Sequence, residues 1–216
     1  MLSRAEARRV YDRVGAQQDA QAFYEDVALE ALCAHSDFEE AYSVFELGCG
    51  TGRLAEHLLR TRLPPDARYV GVDLSATMVR LARERLAPFG DRAAIVHTDG
   101  TFAFERPADS QDRVVATYVL DLLSEDDLSA LLSEAHRLLR PSGRLCLTGL
   151  TWGAAPMTRL VSAAWSGLHA LWPAWVGGCR PMDHRRVLAN GPWRLDHHEV
   201  VHAWGVPSEV VVAAPR

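Results

Sequence analysis

The sequence predicts a doubly wound α/β fold on one largely parallel sheet. Three observations carry that expectation. Short apolar runs alternate with helical repeats between residues 43 and 149, a triple-glycine turn joins the first run to a helix, and acids close the second and third runs. Residues 1–41 come first and read as helical, with Ala20, Phe23, Tyr24, Val27, Ala28, Ala31 and Leu32 at three- and four-residue steps. Ser43 to Leu47 is a short apolar run ending in glycines, as a buried strand does. Helical spacing returns from Arg53 to Leu63 through Leu54, Leu58 and Leu59, until Pro64-Pro65 stops it. Tyr69 to Val72 is the second strand, and Ser75 caps a helix whose Met78, Leu81, Ala82 and Leu86 share a face up to Pro88.

Ala93 to His97 makes the third strand and Arg113 to Thr117 the fourth. Ser124-Glu125-Asp126-Asp127 resembles a capping box and opens a helix with the core stripe Leu128, Leu131, Leu132, Ala135, Leu138 and Leu139. Pro141-Ser142-Gly143 ends that helix before the fifth strand, Arg144 to Gly149. A helix-like Thr158–Leu171 then leads into a Gly/Pro-rich stretch, and Arg194–Trp204 and Ser208–Ala213 flank Gly205-Val206-Pro207 as a hairpin on the sheet edge. With no repeat or linker, 1–216 reads as one domain: a helical cap (1–41), a core (42–150), and a Trp-rich insertion with the terminal hairpin (151–216).

Composition excludes several chemistries. The 216 residues include 23 Arg and no Lys, which removes Schiff-base catalysis and a Walker A loop. A net charge of -5 argues against a wholesale nucleic-acid binder. Cys33, Cys49, Cys146 and Cys179 form no Cys-x-x-Cys pair and read as reduced thiols of a cytoplasmic protein, with no metal expected. Arg4, Glu6, Arg8 and Arg9 precede any apolar run, so no signal peptide is expected. Residues 160–178 carry no formal charge but contain Pro173, glycines and His169, which suit a membrane span poorly.

Val44-Phe45-Glu46-Leu47-Gly48-Cys49-Gly50-Thr51-Gly52-Arg53-Leu54 runs strand, glycine turn, helix, and lets a ligand approach backbone amides at a strand's carboxyl end. A dinucleotide fingerprint would need glycine where Arg53 stands, and Glu46 would repel a pyrophosphate. An acid beside a glycine turn suits a cationic ligand without phosphates, such as S-adenosylmethionine. Asp73 ends the second strand, where a carboxylate can accept both ribose hydroxyls, and Asp99 follows the third, within reach of an adenine amine.

FELGCGTG (45–52), YVGVDLSATMVRLARERL (69–86), VHTDG (96–100), DRVVATYVLDLL (112–123) and LLRPSGRLCLTG (138–149) together resemble the class I S-adenosylmethionine-dependent methyltransferases. The resemblance implies a Rossmann-like, seven-stranded, mostly parallel sheet with an antiparallel last strand, an N-terminal helical cap and a helical insertion after strand five. It implies S-adenosylmethionine as cofactor and S-adenosylhomocysteine as product. Gly48, Cys49, Gly50 and Gly52 would surround the methionine moiety with Glu46, and Asp73 would hold the ribose. Leu74 and Met78 would pack on the adenosine, Asp99, Gly100 and Thr101 would face the adenine, and Thr117, Tyr118 and Val119 would line the fourth strand's end. Tyr11-Asp12-Arg13 looks like a tyrosine-containing cap over the cofactor.

The acceptor is less legible, because displacement from a sulfonium mainly needs alignment and dryness. Thr117-Tyr118-Val119-Leu120-Asp121 lacks the Asn/Asp-Pro-Pro-aromatic motif of amino-methylating enzymes, which with the net charge favours a small-molecule acceptor and no nucleic acid. Trp152, Trp165, Trp172 and Trp175 would shape an apolar pocket, a buried lid or a membrane-facing helix. Candidate bases are His184, His197, His198, His202, Tyr118 and Asp121, with His184 and Tyr118 preferred. Two alternatives stay open: a lipid or quinone methyltransferase at a membrane surface, and a non-catalytic S-adenosylmethionine-binding regulator. Nothing in the sequence fixes an oligomeric state.

Overall fold

The computed structural model describes residues 3–153 and 179–216. Seven strands form one sheet in the order β3-β2-β1-β4-β5-β7-β6. They are β1 (Ser43–Leu47), β2 (Arg68–Asp73), β3 (Ala93–His97), β4 (Gln111–Thr117), β5 (Leu139–Leu150), β6 (Trp193–Ala203) and β7 (Val206–Pro215). β1 to β5 run parallel, and β7 lies antiparallel between β5 and β6. The helices are α1 (Arg4–Val14), α2 (Ala22–His35), α3 (Arg53–Thr61), α4 (Ala76–Leu86), α5 (Glu125–Leu138) and α6 (His184–Ala189). Strands covered on both faces bury nearly every residue, which is why Val44-Phe45-Glu46-Leu47 and the Val210–Ala213 run are continuously buried. Because β1 pairs with both β2 and β4, the strand order reverses beside it, and a crevice opens at the carboxyl ends there.

The caps stand where the sequence places them. Ser75 Oγ accepts from Met78 N at 3.2 Å to start α4, and Ser124 Oγ accepts from Asp127 N at 3.1 Å to start α5. The hairpin also forms, with Trp204 and Gly205 both at positive φ (53° and 81°), as a tight two-residue turn demands. Its second strand does not lie at the edge, however. β7 slots between β5 and β6, because its Val210-Val211-Val212-Ala213 run needs cover on both faces.

Three segments differ from the sequence reading. Residues 1–41 divide into α1, a 3₁₀ turn at Gly15–Gln21 and α2. Only Tyr24, Ala28 and Leu32 of the α2 stripe are buried with Cys33, whereas Phe23 and Val27 are exposed, so the apolar face is wider than the surface it covers. The fifth strand begins at Leu139 directly after α5, and Pro141-Ser142-Gly143 lies within it, where the register skips between Gln111 and Arg113. α6, inside the Gly/Pro-rich stretch, is short and capped by Asp183, whose Oδ1 accepts from Arg186 N at 2.7 Å. The helix expected at 158–171 lies outside the described residues, as do Trp165, Trp172 and Trp175. No described helix is long and apolar enough to cross a membrane.

Gly71 sets how closely the glycine turn rides over β2. A Cβ there would lie 2.8 Å from Cys49 Cβ and 2.9 Å from Ile95 Cδ1. Gly71→Ala is therefore expected to lower unfolding free energy by about 1–3 kcal/mol without loss of far-UV circular dichroism. Urea denaturation checks this, and an unchanged midpoint would contradict the packing described.

Candidate active site

The turn after β1 hangs from β2. Gly48 N and Cys49 N both donate to Val72 O, at 2.8 and 3.0 Å, and Gly50 N donates to Asp73 Oδ2 at 2.9 Å. Its glycines have positive φ (69°, 53° and 77° at Gly48, Gly50 and Gly52), which side chains adopt only with strain. Their surroundings differ. A Cβ at Gly48 would strike Val119 Cγ2 at 2.4 Å, and one at Gly52 would press on Ala82 Cβ at 3.1 Å. One at Gly50 would meet nothing within 4 Å, so its open side faces the crevice.

That crevice is a cavity of about 330 Å³. The turn supplies Glu46, Gly48, Cys49 and Gly50; Asp73, Leu74 and Met78 line the β2 side; Gly100 and Thr101 follow β3; and Thr117, Tyr118 and Val119 end β4. Tyr11 comes from α1, which buries no residue in the core and instead roofs the cavity. Asp12 Oδ1 accepts from Ser75 Oγ at 2.5 Å and from Thr77 N at 3.3 Å, tying α1 to the start of α4, while Arg4 pairs with Asp127 of α5.

Three expected site residues lie elsewhere. Asp99 is exposed and does not line the cavity, because its Oδ1 accepts from Thr101 N (2.9 Å) and Thr101 Oγ1 (2.7 Å) in a local turn. Those bonds hold its carboxyl below the ordinary range. Thr98, Gly100, Thr101 and Phe102 form that wall instead. Gly52 heads α3 against Ala82, outside the cavity lining. His184 is fully buried beside β5 with Nδ1 3.0 Å from Glu209 Oε2, and it does not line this cavity. Of the other candidate bases, His197 stacks on His35 with ring centroids 3.6 Å apart and His198 Nε2 lies 2.8 Å from Glu209 Oε1. Trp152 is exposed and outside the lining. His35, His197 and Glu199 bring ligand atoms within 4.8 Å of one another, a grouping that residue spacing cannot show because α2 supplies one member.

The site's acids are the electrostatic surprise. Glu46 is almost wholly buried and accepts a 2.7 Å hydrogen bond from Tyr69 OH; burial pushes its carboxyl up to about 8 despite that bond. Burial thus favours the neutral form of Glu46 over a standing negative charge beside the turn. Asp73 is raised by burial and pulled back by amides, Ser75 N at 2.8 Å and Gly50 N at 2.9 Å among them. Sequence reasoning missed Glu25, which lines the cavity from α2; burial raises it to about 7 against the pull of Arg53, 2.8 Å away. It also missed Cys179, which lines the cavity from a segment with no motif. Arg53, where a dinucleotide fingerprint has glycine, was the one visible signal for the Glu25 pair. Tyr118 holds φ at 55° and is fixed by its hydroxyl, 2.9 Å from Ser208 Oγ, and by an edge-on contact with Tyr24.

A doubly wound sheet with a glycine turn at β1 and an acid closing β2 defines a protein that binds a nucleoside-bearing cofactor at the strand-order reversal. Residues 44–143 match a family model described as a methyltransferase domain. A tRNA N(3)-methylcytidine methyltransferase, Mettl2 of Drosophila melanogaster, is 31% identical over 57% of this chain and 39% of its own length. A malonyl-[acyl-carrier protein] O-methyltransferase of Marinomonas is 31% identical over 73% of this chain and 55% of its own. The chain thus spans about half the length of these relatives. Among solved structures, the methyltransferase bound to the Haloferax volcanii Trm112 activator superposes with a TM-score of 0.73 at 16% identity, over 97% of each chain. Residues 44–143 thus carry a methyltransferase domain like those of S-adenosylmethionine-dependent relatives, on the Rossmann-like fold of the class I type. The expected absence of nucleic-acid partners is overturned by the tRNA-modifying relative. Net charge is a whole-chain sum and says nothing of how charge is distributed over one surface.

The state of Glu46 is testable through stability. A carboxyl raised from 4.5 to about 8 on folding costs nothing below its unfolded value and its full penalty above pH 8. Relative to wild type, Glu46→Gln should therefore gain about 3–4 kcal/mol as pH rises from about 5 to about 8. Thermal unfolding across that range measures it; parallel Tm curves would show that Glu46 is ionised throughout.

Proposed function

We propose that this chain transfers a methyl group from S-adenosylmethionine, by in-line displacement, to a small apolar or aromatic acceptor that enters the cavity. The observation that supports this most is one cavity lined by two chemically distinct sets of residues. The glycine turn and Asp73 supply its polar groups, while Leu29, Phe102, Phe104, Leu122 and Leu123 supply apolar side chains. The residues present fit the cofactor. Gly50 leaves open space, and each Asp73 oxygen accepts one amide bond while keeping acceptor capacity for a hydroxyl. A buried acid such as Glu46 would ionise beside an ammonium and favour it. When bound, S-adenosylmethionine supplies a methyl carbon already activated on a sulfonium.

The protein's part is then alignment and exclusion of water. Tyr118 and Val119 form the wall at the end of β4, and Val119 is locked in place by its contact with Gly48. α1, clasped at Asp12 and Arg4, closes the opposite side. Isothermal titration should show binding of S-adenosylmethionine and S-adenosylhomocysteine, with Asp73→Ala weakening both about tenfold or more. No binding by folded protein would overturn the reading. Product release should then appear with some member of a panel of aromatic hydroxyls, thiols and amines. Acyl-carrier thioesters and tRNA transcripts serve as separate arms, and methylation of tRNA alone would overturn the small-acceptor part.

A further inference from the structure

Behind the cavity wall a line of side chains is used by none of the roles above: Tyr11, Cys179, Asp121, His184 and Glu209. Tyr11 and Cys179 line the cavity, and the Tyr11 hydroxyl donates to Cys179 Sγ, whose thiol points on toward Asp121. Asp121 is completely buried, with the Cys179 thiol and the backbone amides of Asp121 and Leu150 against its carboxylate, although none of them reaches ordinary hydrogen-bond geometry. His184 is equally buried. Its Nε2 has no partner of ordinary geometry among the described residues, while its backbone N–H donates to Glu209 Oε2 at 2.7 Å and Nδ1 lies 3.0 Å from the same oxygen.

Gly149 of β5 brings these two buried groups together. A Cβ there would lie 2.6 Å from His184 Nε2 and 3.9 Å from Asp121 Cγ. Glu209 Oε1 continues the line to His198 Nε2 at 2.8 Å, whose side chain is 28% exposed. Titratable groups buried this completely are costly, and two of them beside one glycine need a reason to persist.

We propose that this line carries a proton from the cavity to the surface, with Asp121 as its central acceptor and His184 as the group that positions and discharges it. The inference rests on the methyl-transfer reading. As the acceptor's heteroatom forms its new bond to the methyl carbon, the C–S bonding pair stays on sulfur. The heteroatom's proton passes to the Tyr11 oxygen, Tyr11 releases its own to Cys179 Sγ, and the thiol proton moves to the Asp121 carboxylate. Asp121 gives it to His184 Nε2, His184 gives its Nδ1 proton to Glu209 Oε2, and Glu209 returns to its carboxylate form by handing a proton through Oε1 to His198 Nε2, from which it leaves to water. The other groups acting on Asp121 are the phenols of Tyr24 and Tyr118, which burial keeps neutral. Burial pushes the Asp121 carboxyl up to about 6, with His184 and Cys179 pulling it down, so it accepts protons above that pH.

Asp121→Asn keeps the shape and removes the acceptor. Titration calorimetry should give S-adenosylmethionine affinity within about twofold of wild type. With the acceptor found by the panel, kcat should fall about 100-fold and lose its rise through pH 6. Gly149→Ala should also lower kcat by displacing the imidazole, with both acids intact, and guards against a folding defect in the first variant. Independently of turnover, ¹⁵N NMR of the His184 ring should show a changed titration in Asp121→Asn. A wild-type kcat and pH profile in Asp121→Asn, or an unchanged His184 titration, would overturn the line. A wild type that binds no S-adenosylmethionine would overturn the methyl-transfer reading instead, and the ring titration alone then decides whether Asp121 and His184 are coupled.

Discussion

The site depends on how the glycine turn is suspended from its neighbouring strand. Two consecutive amides share the Val72 carbonyl, and a third reaches the Asp73 carboxylate. This fixes the turn relative to the acid that closes β2. The same arrangement demands glycine at 48 and 50 and leaves no space for a side chain at Gly71 beneath. The cavity is the space left over once these constraints are met, with α1 and α2 laid across it.

Much of this was legible in the sequence because it is local. Buried strands print as apolar runs, caps print as Ser75 and Ser124, and the turn prints as three glycines. The parts that were not legible depend on which distant segment arrives. Asp99 stands at a strand end as expected, yet Thr101 two residues on captures its carboxylate. Gly52 belongs to the glycine pattern but answers to α4 packing. His184 sits beside Asp183 in a loop-like stretch, and only the arrival of β7 shows that Glu209 holds it beside β5. Glu25 and Cys179 reach the cavity from segments where no spacing distinguishes them.

Burial, more than formal charge, decides what the acids can do. Glu46, Glu25 and Asp121 are pushed up, whereas Glu209, with histidines and a backbone amide around it, is held down at about 2. A chain rich in arginine and acid thus keeps several neutral or poised carboxyl groups around one cavity. Such groups cost folding stability, which is the ordinary signature of residues kept for function.

The nucleoside of S-adenosylmethionine is assigned to the part of the cavity beside Asp73. A crystal structure with S-adenosylhomocysteine tests that assignment most directly. The ribose hydroxyls are expected on Asp73 and the amino acid moiety along Gly48 to Gly50. A nucleoside bound away from Asp73, or homocysteine occupying the space beside Phe102 and Phe104, would contradict it.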